Sequence, residues 1–192
     1  LMFLQMWNHD EKKSNDDLKY LKEAHDAETE TTDTEGYFLA YGESPFDGDE
    51  VAKRVYLDMI QSATDYIYIM TPYLVLDDEM IDNITYAAKR GVTVRILLPH
   101  IYDKQTAYLA ARTDFRTYLQ SGIEIYEFTP GFVHSKVVLV DDKKATVGTV
   151  NMDFRSFYLN FECGLYVYNH RQVLEDIHKD FMHSFEQTER IT

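Results

Sequence analysis

A histidine and a lysine two positions apart, followed by a glycine, a hydroxyl and a carboxamide, are the residues of this sequence best suited to chemistry. They are His134, Lys136, Gly148, Thr149 and Asn151. An imidazole can attack phosphorus and carry a covalent phosphoryl group, which divides one difficult displacement into two easier ones. A lysine cation and neutral hydrogen-bond donors can stabilise the non-bridging oxygens as negative charge develops. The set therefore predicts cleavage of a phosphate diester without a metal ion.

These residues lie on two apolar runs that predict the strands of a β-hairpin. Residues two apart on a strand point to the same face, so His134 and Lys136 are expected side by side. Residues 141–144, two acidic and two basic, interrupt the apolar pattern and predict the connecting turn. If the two ends of that turn pair, Thr149 lies opposite Lys136 and Asn151 opposite His134, with the register open by one residue. We expect four polar groups to converge there.

Asp141 follows the histidine and lysine at a regular spacing but points to the opposite face of the predicted strand. A structural role at the turn is therefore favoured over direct contact with substrate. Cleavage of a diester also needs a second proton-transfer group, which protonates the leaving oxygen and then activates the acceptor. Nothing near the hairpin in the sequence supplies this group, so the sequence predicts half of an active site.

The spacing resembles the H-x-K-x4-D-x6-G-[S/T]-x-N signature of the phospholipase D superfamily, whose members pair two such motifs. This chain carries one copy, with threonine where serine is commoner. The flanking segments Pro130–Lys136 and Gly148–Phe157 resemble the second catalytic half of bacterial cardiolipin synthases. Thr71–Leu74 resembles a less specific segment that the family places near the mouth of the site. The resemblance extends from about Tyr37 to the C-terminus.

The resemblance implies a metal-independent phosphatidyl transfer that uses two histidines and no cofactor. One histidine is the nucleophile and the other the general acid and base, and the sequence leaves open which is which. In cardiolipin synthases two phosphatidylglycerol molecules give cardiolipin and glycerol. The resemblance also implies that Glu162 hydrogen-bonds the motif histidine and orients its ring. The catalytic candidates are thus His134, Lys136, Asp141 and Glu162, and the phosphate-binding candidates are Thr149 and Asn151.

Alternating strand and helix patterns predict an α/β fold of the phospholipase D type. Strands that alternate with amphipathic helices usually form a sheet covered on both faces. We predict a mixed sheet of about seven strands flanked by helices on both sides. The predicted strands cover residues 37–41, 66–71, 92–98, 123–128, 134–140, 145–150 and 161–168, and the predicted helices cover 49–63, 77–90, 105–120 and 171–187.

Composition divides the 192 residues into three parts. Residues 1–8 are apolar and predict the remnant of a preceding domain. Residues 9–36 are acidic with almost no aliphatic side chains, and predict a solvated linker that serves as a spacer or as a regulatory segment. Residues 37–192 predict the catalytic half-domain. The single cysteine, Cys163, excludes a disulfide within the chain and suits a reducing compartment.

Function also depends on segments outside this sequence. The apolar runs are too short to cross a bilayer, so we expect a soluble piece of a parent protein that other segments hold at the cell membrane. The expected partners are phosphatidylglycerol, other phospholipids and the first catalytic half of the same protein. Without that half the piece should be inactive.

Two alternative functions stay open. A homodimeric phosphodiesterase or nuclease of the same superfamily would need only one motif in each chain. The formal net charge of −14 disfavours nucleic acid as a partner, because affinity for a phosphate backbone normally comes from clustered lysine and arginine. The second alternative is a catalytically silent half-domain that docks on a lipid surface or on another protein.

Overall fold

The computed structural model describes residues 6, 7, 19, 35–46 and 48–192. Residues Glu35–Thr192 form a compact unit. The predicted remnant at residues 1–8 and the predicted linker at residues 9–36 fall almost wholly outside the described residues, so both stay predictions.

A mixed sheet forms the centre of this unit, as predicted. In chain order the strands are β1 (Tyr37–Glu43), β2 (Tyr66–Met70), β3 (Leu74–Val75), β4 (Thr93–Pro99), β5 (Glu124–Phe128), β6 (Val137–Val140), β7 (Lys144–Gly148), β8 (Met152–Asp153), β9 (Glu162–Tyr168) and β10 (Thr188–Ile191). The eight-stranded sheet has the order β1-β9-β7-β6-β2-β4-β5-β10. Strands β2, β4 and β5 are parallel, and the other neighbours in this sheet are antiparallel. Strands β3 and β8 pair separately.

Helices cover both faces of the sheet, which confirms the predicted layers. They are α1 (Val51–Ser62), α2 (Asp78–Lys89), α3 (Gln105–Thr113), α4 (Phe115–Gln120), α5 (Phe154–Tyr158) and α6 (Arg171–Phe185). One apolar cluster joins the sheet to α1, α2, α4 and α5, and includes the fully buried Phe157 and Tyr118. A second cluster joins the opposite face to α6 through Leu174 and Phe181. Each long helix buries one apolar stripe, the pattern from which it was predicted.

Several elements differ from the predictions, among them the two-residue strands β3 and β8, which were not predicted. The helix predicted over residues 105–120 is divided at Asp114, the residue that ends α3 and begins α4. Strand β10 adds an eighth strand, and its four residues are too short and too polar to show a strand period. Helix α5 was also missed, because five residues show little helical period. Its start is marked by Asp153, whose side chain accepts from the backbone N–H of Ser156 at 2.7 Å.

The hairpin that carries the motif has the predicted shape in a register shifted by one residue. Val140 pairs with Lys144, so Gly148 lies opposite Lys136, with 3.3 Å between the Gly148 nitrogen and the Lys136 carbonyl oxygen. The observed register lies within the one residue that the prediction left open, with Gly148 and not Thr149 opposite Lys136. The shift arises because Asp141 and Asp142 adopt positive φ angles of 54° and 51°, a turn that leaves one extra residue before β7 begins.

Strands β7 and β9 approach most closely where two glycines face each other. Gly148 pairs with Gly164, and the ring of Tyr41 lies over Gly164. A Cβ atom on Gly148 would come within 2.6 Å of the Gly164 Cα and still closer to the carbonyl oxygen of Cys163. The glycine of the motif is therefore required by the contact between strands.

We expect Gly148→Ala to lower the free energy of unfolding by about 3 kcal/mol, because the new methyl group meets backbone atoms that cannot move aside. Denaturant unfolding of the purified chain measures this loss. Gly131→Ala is the matched control, since a Cβ there meets nothing within 4 Å and the change should cost less than about 1 kcal/mol. Equal stability of the two variants would contradict the close approach.

Candidate active site

His134 and Lys136 lie in an extended segment just before β6 and not within the strand. The His134 side chain is exposed, whereas Lys136 is 9% exposed. The Lys136 Nζ donates to the carbonyl oxygen of His134 at 2.6 Å. The ring of Phe132 stacks on the imidazole with 5.9 Å between centroids. The imidazole itself makes no hydrogen bond to any residue that the structure describes, so both ring nitrogens are available.

Burial and nearby negative charge have opposite effects on the pKa of Lys136. Burial lowers the pKa of Lys136 below its usual value, and the charges of Glu162 and Asp153 counteract part of that effect. These two carboxylates therefore lie close enough to Lys136 to act on it electrostatically. Lysine has three N–H bonds, and only one is used by the His134 carbonyl. The remaining two can reach the oxygens of an anion.

Glu162 is the centre of a buried hydrogen-bond network. Its side chain, at the start of β9, is 7% exposed. One carboxylate oxygen accepts from the hydroxyl of Thr149. The other accepts from the Ser156 hydroxyl at 3.0 Å and from the Asn160 amide at 3.0 Å. Three donors thus satisfy a carboxylate that would otherwise be costly to bury.

The hydrogen bonds of Glu162 differ from those that the resemblance implied. Within the described residues Glu162 makes no hydrogen bond to His134, so the predicted orientation of the imidazole by this carboxylate is absent from this arrangement. Thr149 is also engaged, because its only hydroxyl proton goes to Glu162 and its oxygen accepts from the backbone of Cys163 at 3.0 Å. Thr149 therefore supports Glu162 here, and its predicted contact with phosphate stays a prediction.

Asn151 joins the same network with part of its side chain unused. Its amide nitrogen donates to the Ser156 hydroxyl at 3.0 Å. The amide keeps a second N–H, and the carbonyl oxygen is buried without a partner. The loop that carries it is fixed by Tyr56, whose hydroxyl donates to the Val150 carbonyl at 2.9 Å. Asn151 can therefore still offer one donor and one acceptor to a ligand.

Residues that the sequence analysis missed complete the network. Ser156 and Asn160 donate hydrogen bonds to Glu162. Asp153 is the N-cap of α5, and its carboxylate accepts from the backbone nitrogen of Ser156. Burial raises the pKa of Asp153 above its usual value, hydrogen bonds from Ser156 lower it, and the charge of Glu162 raises it further. The spacing of Asp153 and Ser156 is that of a helix N-cap, a signal that could have located α5 from the sequence.

Thr71–Leu74 lies against the loop of the motif. The Thr71 hydroxyl accepts from the Met152 nitrogen at 3.2 Å and donates to the Tyr73 carbonyl at 2.9 Å. Leu74 pairs with Met152 in the small sheet. This segment therefore adjoins the residues that follow Asn151, in agreement with the place that the resemblance implied.

Asp141 stands apart from the other motif residues, at the far end of β6. Four residues of strand at roughly 3.3 Å each separate it from Lys136. Its carboxylate accepts from the backbone nitrogens of Thr64, Asp65 and Tyr66 and from the Thr64 hydroxyl, at 2.7–2.9 Å. The prediction of Asp141 as a catalytic candidate is thus corrected, because its carboxylate binds the start of β2 to the hairpin turn.

The other histidines that the structure describes are engaged elsewhere. Their contacts are His100 with Glu127, His170 with the Val173 nitrogen, His178 with Asp142 and His183 with Gln187. Among the described residues there is no group of three or more histidine, cysteine or acidic side chains placed as metal ligands. In the same residues, no helix has both the length and the apolar character that crossing a bilayer requires.

Comparison with known proteins assigns the family. The family described as "Cardiolipin synthase, PLD-like domain" matches residues 56–187. The chain belongs to this phospholipase D-like family. The resemblance drawn from the H-x-K motif and its flanking segments is thereby confirmed.

Individual relatives agree with this family. The chain is similar to an uncharacterised protein of Streptococcus mutans, with 45% identity over 192 residues, which are 100% of this chain and 40% of the relative. It is similar to a cardiolipin synthase of Halalkalibacterium halodurans, with 36% identity over 191 residues, or 100% of this chain and 37% of the relative. The chain thus spans about two fifths of the length of these curated relatives.

A solved structure supports the fold. The phospholipase D family member Nuc from Salmonella typhimurium superposes with a TM-score of 0.69 at 21% sequence identity. The match covers 81% of this chain and 98% of that one. At this identity the similarity shows the shared fold alone, and it agrees with the mixed sheet and helices of the phospholipase D-like domain.

We expect Asp141→Asn to lower the free energy of unfolding by about 2 kcal/mol, because an amide replaces a charged acceptor of four hydrogen bonds. Burial alone would raise the pKa of Asp141, but these hydrogen bonds hold it below its usual value. A depressed folded pKa stabilises the fold above the unfolded value of about 4 and loses that contribution as pH falls through the folded pKa.

The stability difference between the two proteins should therefore be full at neutral pH and shrink below about pH 4, as followed by denaturant unfolding at each pH. Asp82→Asn on α2, an exposed position, is the control and should change stability by less than about 0.5 kcal/mol. A difference that stays constant down to the lowest pH would exclude the charge of Asp141 as the cause.

Proposed function

We propose that this chain is one catalytic half of a phosphatidyltransferase that makes cardiolipin from two phosphatidylglycerol molecules. The observation that carries the proposal is the exposed imidazole of His134 beside the buried Lys136, in a chain 36% identical to a cardiolipin synthase. The chain matches only about two fifths of that relative. The part of that relative outside the match is long enough to hold a second motif, which supports the proposed need for a complementary half.

In the proposed reaction two histidines share the work, one from this chain and one from the complementary half. The nucleophilic histidine forms a nitrogen–phosphorus bond as the bond from phosphorus to the departing glycerol oxygen breaks. The other histidine donates a proton to that oxygen, and free glycerol leaves. The same group then takes the proton from a hydroxyl of a second phosphatidylglycerol. The resulting oxygen attacks phosphorus, the nitrogen–phosphorus bond breaks, and cardiolipin is released.

Lys136 and Asn151 would hold the phosphate during both steps. The two unused N–H bonds of Lys136 and the second N–H of the Asn151 amide can donate to the non-bridging oxygens. The charge of Glu162 counteracts part of the effect by which burial lowers the pKa of Lys136, and Glu162 fixes the Asn151 amide through Ser156. In this proposal Glu162 is a positioning residue.

The lipid substrate sets the location of the parent protein in this proposal. Phosphatidylglycerol is a bilayer component, so the active site must work at a membrane surface. The net charge of −14 repels an anionic lipid surface on average, and attachment is therefore assigned to segments of the parent outside this chain.

We expect His134→Ala in the full-length protein to lower kcat for cardiolipin formation by about four orders of magnitude or more, because the two-step cycle cannot proceed without either histidine. Thin-layer analysis of labelled phosphatidylglycerol measures the product. Acid-labile label trapped on His134 in the wild type would identify it as the nucleophile, and label on a histidine of the other half would make His134 the acid and base. His183→Ala, on the exposed face of α6, is the control. Near-normal turnover by His134→Ala would exclude His134 from the mechanism.

The separated chain should form no detectable cardiolipin, because it lacks the second proton-transfer group. Turnover should return when the complementary half is supplied. Cardiolipin formation by a monomeric chain would contradict the proposal. The alternative of a homodimeric nuclease makes a different prediction: salt-sensitive cleavage of DNA by a dimer of this chain.

A further inference from the structure

A narrow apolar crevice opens beside the candidate site, between α3 and the carboxyl ends of β4 and β5. Tyr73, Leu98, Ala107, Ala111, Phe115 and Phe132 contribute to its walls. Its volume is about 20 Å3, so in this structure the walls are nearly in contact. The carboxyl ends of parallel strands are where open α/β sheets usually bind ligands.

The crevice is continuous with the candidate site. Phe132 forms part of its wall and also stacks on the ring of His134. Tyr73 forms another part, and its neighbour Leu74 pairs with Met152, the residue after Asn151. A ligand whose phosphate lies at His134 therefore has Phe132, one wall of the crevice, beside it.

The two carboxylates at the crevice already have partners within the protein. Glu127, 7% exposed, binds His100 at 3.0 Å and also Arg112. Asp103 accepts from the Tyr73 hydroxyl at 2.6 Å. Because these charges are satisfied, the remaining surface of the crevice suits hydrocarbon better than a charged headgroup.

One large aromatic side chain of the crevice is exposed. Tyr102 is 53% exposed. Tyr102 and Lys104 line the crevice from the solvent side, and both are exposed. Exposed side chains can change rotamer at little cost, so they can widen the crevice without displacing the sheet.

We propose that this crevice binds the first methylene groups of one acyl chain of the phospholipid whose phosphate lies at His134. The inference rests on the proposed function and names the part of the lipid that the site recognises beyond its phosphate. A phospholipid raised from the bilayer to reach His134 draws the start of its chains into water. Burial of those methylenes between Ala107 and Phe132 offsets the cost of that exposure.

Filling the crevice tests the proposal in the full-length protein. Ala107→Trp places a large ring between its walls, whereas Thr106→Trp adds the same ring on the exposed side of α3 and is the matched control. The readout is the ratio of kcat/KM for dioleoyl phosphatidylglycerol to kcat/KM for bis(p-nitrophenyl) phosphate, a diester without acyl chains. Each methylene that loses its burial weakens binding about fourfold. We expect Ala107→Trp to lower this ratio at least about tenfold and Thr106→Trp to leave it within about twofold.

Photo-crosslinking gives a readout that needs no turnover. Phosphatidylglycerol with a diazirine near the start of one acyl chain is incubated with the full-length His134→Ala variant and irradiated. We expect adducts on Tyr73, Tyr102 or Tyr108 by mass spectrometry, and their loss when Ala107→Trp is added.

Two outcomes would overturn the proposal. One is an unchanged ratio of kcat/KM for a folded Ala107→Trp variant, and the other is labelling that avoids the crevice. Failure of the proposed function has a separate signature, in which the wild type cleaves the chainless diester but makes no cardiolipin from phosphatidylglycerol.

Discussion

The buried carboxylate of Glu162 is the constraint on which the candidate site depends. A charge with 7% exposure is tolerated only if several donors reach it, and here they come from Thr149, Ser156 and Asn160. These residues belong to three successive segments of the chain: the end of the hairpin, α5 and the loop before β9. Removing the carboxylate would therefore loosen all three segments at once. The charge that supports the Lys136 ammonium also holds together the loop that carries Asn151.

Sheet topology brings these segments to one end of the domain. Parallel strands β2, β4 and β5 end there, the hairpin of β6 and β7 opens there, and β9 begins there. The face-to-face glycines Gly148 and Gly164 let β7 and β9 approach closely just before Thr149 leaves the sheet. At the opposite end Asp141 fastens the hairpin turn to β2. The motif residues thus lie at both ends of the hairpin. The candidate catalytic residues His134 and Lys136 lie at the open end, and Asp141 lies at the turn.

Much of the fold could be predicted because apolar period and turn chemistry are local properties. The strands and long helices followed from these patterns to within a few residues, and the motif located the hairpin. The register could be predicted only to within one residue because two aspartates adopt positive φ, a choice that side-chain pattern does not encode. The network around Glu162 was missed because it depends on α5, a helix of five residues that is too short to show a helical period. A structural role of Asp141 at the turn was favoured from the sequence, and its carboxylate binds the start of β2 there.

The charges of the described site residues support the proposed need for a complementary catalytic half. Lys136 is the cation of the described network, and Glu162 and Asp153 act on it as nearby carboxylates. The formal charges of these three groups, one positive and two negative, therefore sum to −1 before any phosphate arrives. A diester adds one negative charge, and its transition state concentrates more charge on the non-bridging oxygens. One lysine with two free N–H bonds cannot balance that charge at a site beside two carboxylates. Under the proposed function the complementary half would accordingly bring positive charge as well as a proton carrier, and a second lysine beside a second histidine would supply both.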